Sequence, residues 1–101
     1  MGIEDRDHEL KVEVTAHDED SGKTFRLAGT RVETVQHFID ALYLDLKTGR
    51  KADDRLRCEG DNQDVFQYAH LNIEIYFHQH CAAHVWLFAS GTGGASCLVR
   101  Q

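Results

Sequence analysis

The sequence predicts an α+β domain in which a β-hairpin, one long helix and two later strands build a mixed sheet with the helix packed across one face. Three observations carry this prediction. Residues 10–16 alternate apolar and polar, residues 31–48 repeat apolar positions at three- and four-residue intervals, and an apolar, aromatic run at 84–89 passes directly into Ser90-Gly91-Thr92-Gly93-Gly94. The 101 residues are enough for one hydrophobic core and not for two.

Leu10, Val12, Val14 and Ala16 fall on one side of the first run, with Lys11, Glu13 and Thr15 on the other, the period of a half-buried strand. The turn formers His17-Asp18-Glu19-Asp20-Ser21-Gly22 follow, and alternation resumes from Thr24 to Leu27 with Phe25 and Leu27 inward, completing a hairpin. Thr30 and Glu33 have the spacing of a capping box, which sets the start of a helix over 31–48. Its apolar face is Val32, Val35, Phe38, Ile39, Leu42 and Leu46; Gly49 supplies a left-handed stop, with Lys47 at the negative end of the helix. Residues 50–64 are polar and read either as a loop with a short strand or as an irregular crossover. Residues 64–70 fit a helical turn or the lead-in to a strand equally well. Leu71, Ile73, Ile75 and Phe77 alternate with Asn72, Glu74, Tyr76 and His78, which predicts a strand. The run 84–89 (HVWLFA), apolar on both faces, predicts a final strand in the middle of the sheet. The resulting division is a flexible N-terminal arm (1–9), a domain (10–90) and a flexible C-terminal tail (91–101).

Composition narrows the function classes. With 42% hydrophobic and 28% charged residues and nine aromatic side chains, the chain is an ordinary globular one. Its net charge of −6, with no basic cluster, disfavours nucleic acid and anionic lipid as partners. No apolar run approaches the roughly 20 residues that span a bilayer, and Met1 to Glu9 is too acidic for a signal or transit peptide, so the expected location is the cytoplasm. Three cysteines, Cys58, Cys81 and Cys97, are an odd number at irregular spacing, which predicts free thiols, with Cys58 and Cys81 in or near the core.

In element order and in its Gly93-Gly94 tail, the chain resembles the ubiquitin-like β-grasp modifiers of prokaryotic type, over residues 10–94. The resemblance implies a protein modifier whose last glycine is adenylated by an activating enzyme, passed to a thiol of a conjugating enzyme as a thioester, and joined to a target protein by an isopeptide bond, or else used to carry sulfur. Glycine suits that end because a chain without Cβ can thread a narrow channel. Ala95 to Gln101 follow the diglycine, so the resemblance implies a precursor cut between Gly94 and Ala95 by a peptidase. Counting back from Gly94 on the same plan places Val85 and Leu87 in the core and Trp86 and Phe88 on the open face of the sheet, as a partner-binding surface. The alternative is a β-grasp interaction module that is never conjugated.

Seven histidines raise a rival. His78, His80, Cys81 and His84 crowd the junction before the last strand and include good zinc or copper ligands. In a strand, however, His78 and His80 share a face that Cys81 does not, and no spacing matches a structural zinc pattern. Solvated turn histidines and no metal or other cofactor are therefore expected. A nucleophile pair drawn from Cys81 and His84, or from Cys97 and a histidine, lacks a third orienting group, and the expectation is a chain without enzymatic activity.

Overall fold

The alternation at the start of the chain builds what it predicts. In the computed structural model, which describes residues 11–90, strands β1 (Lys11–Asp18) and β2 (Thr24–Thr30) form an antiparallel hairpin. Val14 and Ala16 of β1 and Leu27 of β2 are buried. The turn between the strands is organised by Asp18, whose carboxylate accepts from the Asp20 amide at 3.0 Å and the Ser21 hydroxyl at 2.9 Å.

Helix α1 spans Val35–Leu46 and buries Val35, Phe38, Ile39 and Leu42, one stripe at helical spacing. It is shorter at both ends than residues 31–48, and the Thr30/Glu33 capping box does not form. Thr34 occupies the N-cap without a side-chain hydrogen bond. The first helical amides instead donate to backbone of the later crossover: Val35 N–H to the Leu71 carbonyl at 2.8 Å and Gln36 N–H to that of Ala69 at 2.9 Å. Val32, expected on the buried face, lies before the helix and is exposed. At the other end the left-handed cap is Lys47 (φ 61°), not Gly49; its amide donates to the Tyr43 and Leu44 carbonyls.

Residues 50–64 contain a short strand, β3 (Arg55–Cys58), and a 3-10 turn follows at Val65–Tyr68. The largest departure from expectation comes next. Residues 73–79 are helix α2 (Ile73–Gln79), not a strand. Asn72 caps it, its side-chain oxygen accepting from the Glu74 and Ile75 amides at 2.9 and 3.1 Å. Ile73, Tyr76 and Phe77 are buried at i, i+3 and i+4, while Ile75 is 47% exposed, so the period that burial obeys is helical. The Asn72 amide group also donates to the Arg31 carbonyl at 2.7 Å, and the Ile73 N–H to that of Glu33 at 2.8 Å, clamping the start of α2 to the loop before α1.

Strand β4 (Val85–Ala89) lies inside a four-stranded sheet of order β2-β1-β4-β3, parallel to β1 and antiparallel to β3. The architecture is thus α+β: a mixed sheet with two helices. The core gathers the inward side chains of all four strands with those of α1, α2 and Val65. Cys58 and Cys81 are in that core, as expected, but they are not free thiols: they form a disulfide, with Cα atoms 5.8 Å apart. No helix among the described residues is long and apolar enough to cross a membrane.

Candidate interaction surface

Because β4 has a strand on each side, the direction of its side chains decides which face of the sheet is core. The register aligns Trp86 with Ala16 of β1 and Cys58 of β3, and Phe88 with Asp18 and Leu56. All of these are buried, and Trp86 and Phe88 are 0% and 4% exposed. The assignment of Trp86 and Phe88 to an open, partner-binding face is therefore corrected by one residue: they are core. The physical reason is volume. A buried indole fills the space between α2 and the sheet, ringed by Tyr76 and Phe77, and its N–H donates to the Tyr76 hydroxyl at 3.2 Å.

Val85, Leu87 and Ala89, partly buried, take the opposite face. One cross-strand row reads Thr24, His17, Leu87, Arg57, and the next Arg26, Thr15, Val85. The His17 ring nitrogen and the Thr24 hydroxyl are hydrogen-bonded at 2.8 Å, and Arg57 pairs with Glu19 at 2.6 Å, so the rim is ordered. Arg55 lies opposite Ala89 at the far edge. A small apolar centre, Val85 and Leu87, is thus flanked by three arginines in a chain whose net charge is −6. Arginine beside aliphatic surface is the composition of interface centres, since the guanidinium is weakly hydrated and forks onto carboxylates. Sequence reasoning missed Val85, Leu87 and Arg57 as surface residues; their signal lay in pairing with β1, whose polar members Thr15 and His17 mark the open side.

The same strand carries the exit of the chain. Ser90, the last described residue, donates its amide to the Asp20 carboxylate at 2.7 Å, fixing the point from which the tail departs beside the β1–β2 turn. Gly93, Gly94 and Ala95, the expected processing and conjugation residues, lie outside the described residues, as does the arm 1–9.

The histidines do not converge. His78 is an exposed residue of α2, His80 stacks on Tyr68 with ring centroids 4.1 Å apart, and His84 stacks on Phe77 at 4.1 Å. Cys81 is committed to its disulfide. Among the described residues no group of three or more His, Cys, Asp or Glu side chains is placed to hold a metal ion.

Two tyrosines have perturbed acidity. Burial raises the Tyr43 phenol well above its ordinary value, reinforced by its hydrogen bond to the Asp54 carboxylate at 2.7 Å. Burial likewise raises Tyr76, against the opposing effect of the Trp86 N–H bond to its oxygen. Both are held as neutral structural donors or acceptors, with Asp54 also accepting the Lys51 amide at 2.9 Å to close the loop before β3.

No protein-family model and no curated protein matches this chain.

Proposed function

We propose that the chain is a ubiquitin-like β-grasp protein modifier, made as a precursor, cut after Gly94, and joined to a target protein through that glycine. The observation that supports this reading best is topological. An antiparallel hairpin is followed by a helix over one face, and the final strand inserts parallel to the first, giving the order β2-β1-β4-β3. That central strand delivers the chain at Ser90 into Gly91-Thr92-Gly93-Gly94. A glycine carboxylate that follows a strand paired on both sides is tethered to an ordered body, which suits an adenylating enzyme that must position a macromolecular substrate. In this reading the chain is acted on by an activating enzyme, a conjugating enzyme and a peptidase, all cytoplasmic with their ATP, and is not itself a catalyst. Its open face, centred on Val85 and Leu87 with Arg26 and Arg57 beside them, is the surface those proteins dock on.

The test is intact-mass analysis after co-expression with an adenylating enzyme and a peptidase encoded beside it. Loss of residues 95–101 and a covalent adduct on a second protein are expected, and removal of Gly94 abolishes the adduct. Full-length chain with no adduct, still bound noncovalently by a partner through the Leu87 face, selects instead an interaction module that is never conjugated. The ordered rim of that face favours this second reading if processing fails.

A further inference from the structure

We propose that the Cys58–Cys81 bond is a redox-operated clamp on β3, so that the thiol state of this pair sets whether the arginine side of the open face is in place. The inference rests on the docking-face reading above. Strand β3 has four residues and lies at the sheet edge with one strand neighbour, β4. Its last residue, Cys58, is bonded to Cys81 in the loop after α2, 23 positions away. The span between them holds the turn at 59–64, the 3-10 turn and α2, so a single covalent bond ties three elements to the strand. Arg55 and Arg57 alternate on β3 with the buried Leu56 and Cys58; when β3 leaves the sheet, both guanidiniums leave the face around Leu87.

In a compartment that keeps thiols reduced, a disulfide is conditional, and its usual uses are catalysis and redox sensing; a pair buried in the core, out of reach of a substrate, suits the second. Reduction consumes two molecules of a thiol of the glutathione class. The first attacks one sulfur as thiolate and forms a mixed disulfide while the other cysteine leaves and takes a proton. The second releases the remaining cysteine thiol and forms the oxidised dimer of the reductant. Cys58 and Cys81 are each 1% exposed, so attack follows local opening of the β3 edge, and the reduced strand is held by the hydrogen bonds of four residues, the packing of Leu56 and the surface pair of Arg57 with Glu19.

The experiment compares the full chain held in oxidised glutathione with the same chain in dithiothreitol, by amide hydrogen exchange. In the oxidised sample a peptide linking Cys58 to Cys81 is expected. On reduction the Cys58 and Glu59 amides, which donate to Gln63 and Val85 carbonyls, exchange about tenfold faster or more, while the β1–β2 hairpin amides change little. Absence of the linked peptide, or a change that is absent or uniform over the domain, overturns the proposal. The Cys58→Ala/Cys81→Ala variant matches the reduced protein and ignores dithiothreitol; a variant that still responds places the switch elsewhere and also overturns it. Exchange is read without a partner, so failure of the docking face, seen as unchanged partner binding by Leu87→Asp, is separately visible.

Discussion

The indole N–H of Trp86 donates to the hydroxyl of Tyr76 at 3.2 Å, joining the central strand to α2 inside the core. Both side chains are essentially inaccessible to water. Trp86→Ala therefore costs about 3–5 kcal/mol through the lost volume, and Trp86→Asp unfolds the domain. Tyr76→Phe removes only an oxygen, yet strands a buried N–H and costs about 1–3 kcal/mol. Thermal and urea melts followed by far-ultraviolet circular dichroism check all three; a Trp86→Asp protein with wild-type stability would remove the residue from the core.

Leu87→Asp is the contrasting substitution, one position along the same strand. Its side chain lies on the open face, so the melting temperature shifts by no more than a few degrees, as for a surface change. Partner capture in the co-expression assay is lost. Equal destabilisation by Leu87→Asp and Trp86→Asp would contradict the assignment of faces.

Gly29 is set by close approach and not by its backbone angles. A Cβ added there would lie 2.6 Å from the Phe38 ring of α1. Gly29→Ala pushes the helix or the ring aside and destabilises by about 1–3 kcal/mol, measurable as a lower urea midpoint with an unchanged slope.

Asn72 carries two loads, capping α2 and holding the Arg31 carbonyl. Asn72→Ala should lose about 1–2 kcal/mol, whereas Asn72→Asp, which keeps the acceptor and drops the donor, should lose less. Identical losses in the two variants would mean that the cap contributes nothing.

The weakened acidity of two tyrosines gives a pH dependence of known sign. The folded state keeps the Tyr43 and Tyr76 protons above the ordinary value near 10, at which the unfolded chain releases them. The stabilisation is complete below pH 10 and falls as pH rises beyond it, because the unfolded state then binds fewer protons than the native one. Phenolate absorbance of these two residues should rise together with unfolding and not before it; Tyr43→Phe should lessen the decline.

The hairpin, α1 and the central position of β4 were legible because each has a single dominant period. Val14 and Ala16 alternate with the polar Glu13, Thr15 and His17, and Phe38, Ile39 and Leu42 fit no strand. Residues 71–79 carry two periods at once: Leu71, Ile73, Ile75 and Phe77 alternate, while Ile73, Tyr76 and Phe77 share a helical stripe. Asn72 breaks the tie as a cap, a cue weaker in the sequence than four aliphatic and aromatic alternations. In β4 both parities are apolar, so its inward face depends on the register with β1, a long-range fact. The backbone cap that Leu71 and Ala69 give to α1 is invisible for the same reason, and the odd number of cysteines concealed a pair, Cys58 and Cys81, that only folding brings together.

The parallel pairing of β1 with β4 has a mechanical consequence. Thr15 through Asp18 lie alongside Val85 through Phe88, pointing the same way. A force applied between the start of β1 and the end of β4 pulls the two strands past each other along their length, so the hydrogen bonds of the ladder bear load at the same moment instead of opening in turn like a zip. A protein machine that pulled on the end of β4, with the start of β1 held, would load this ladder in shear.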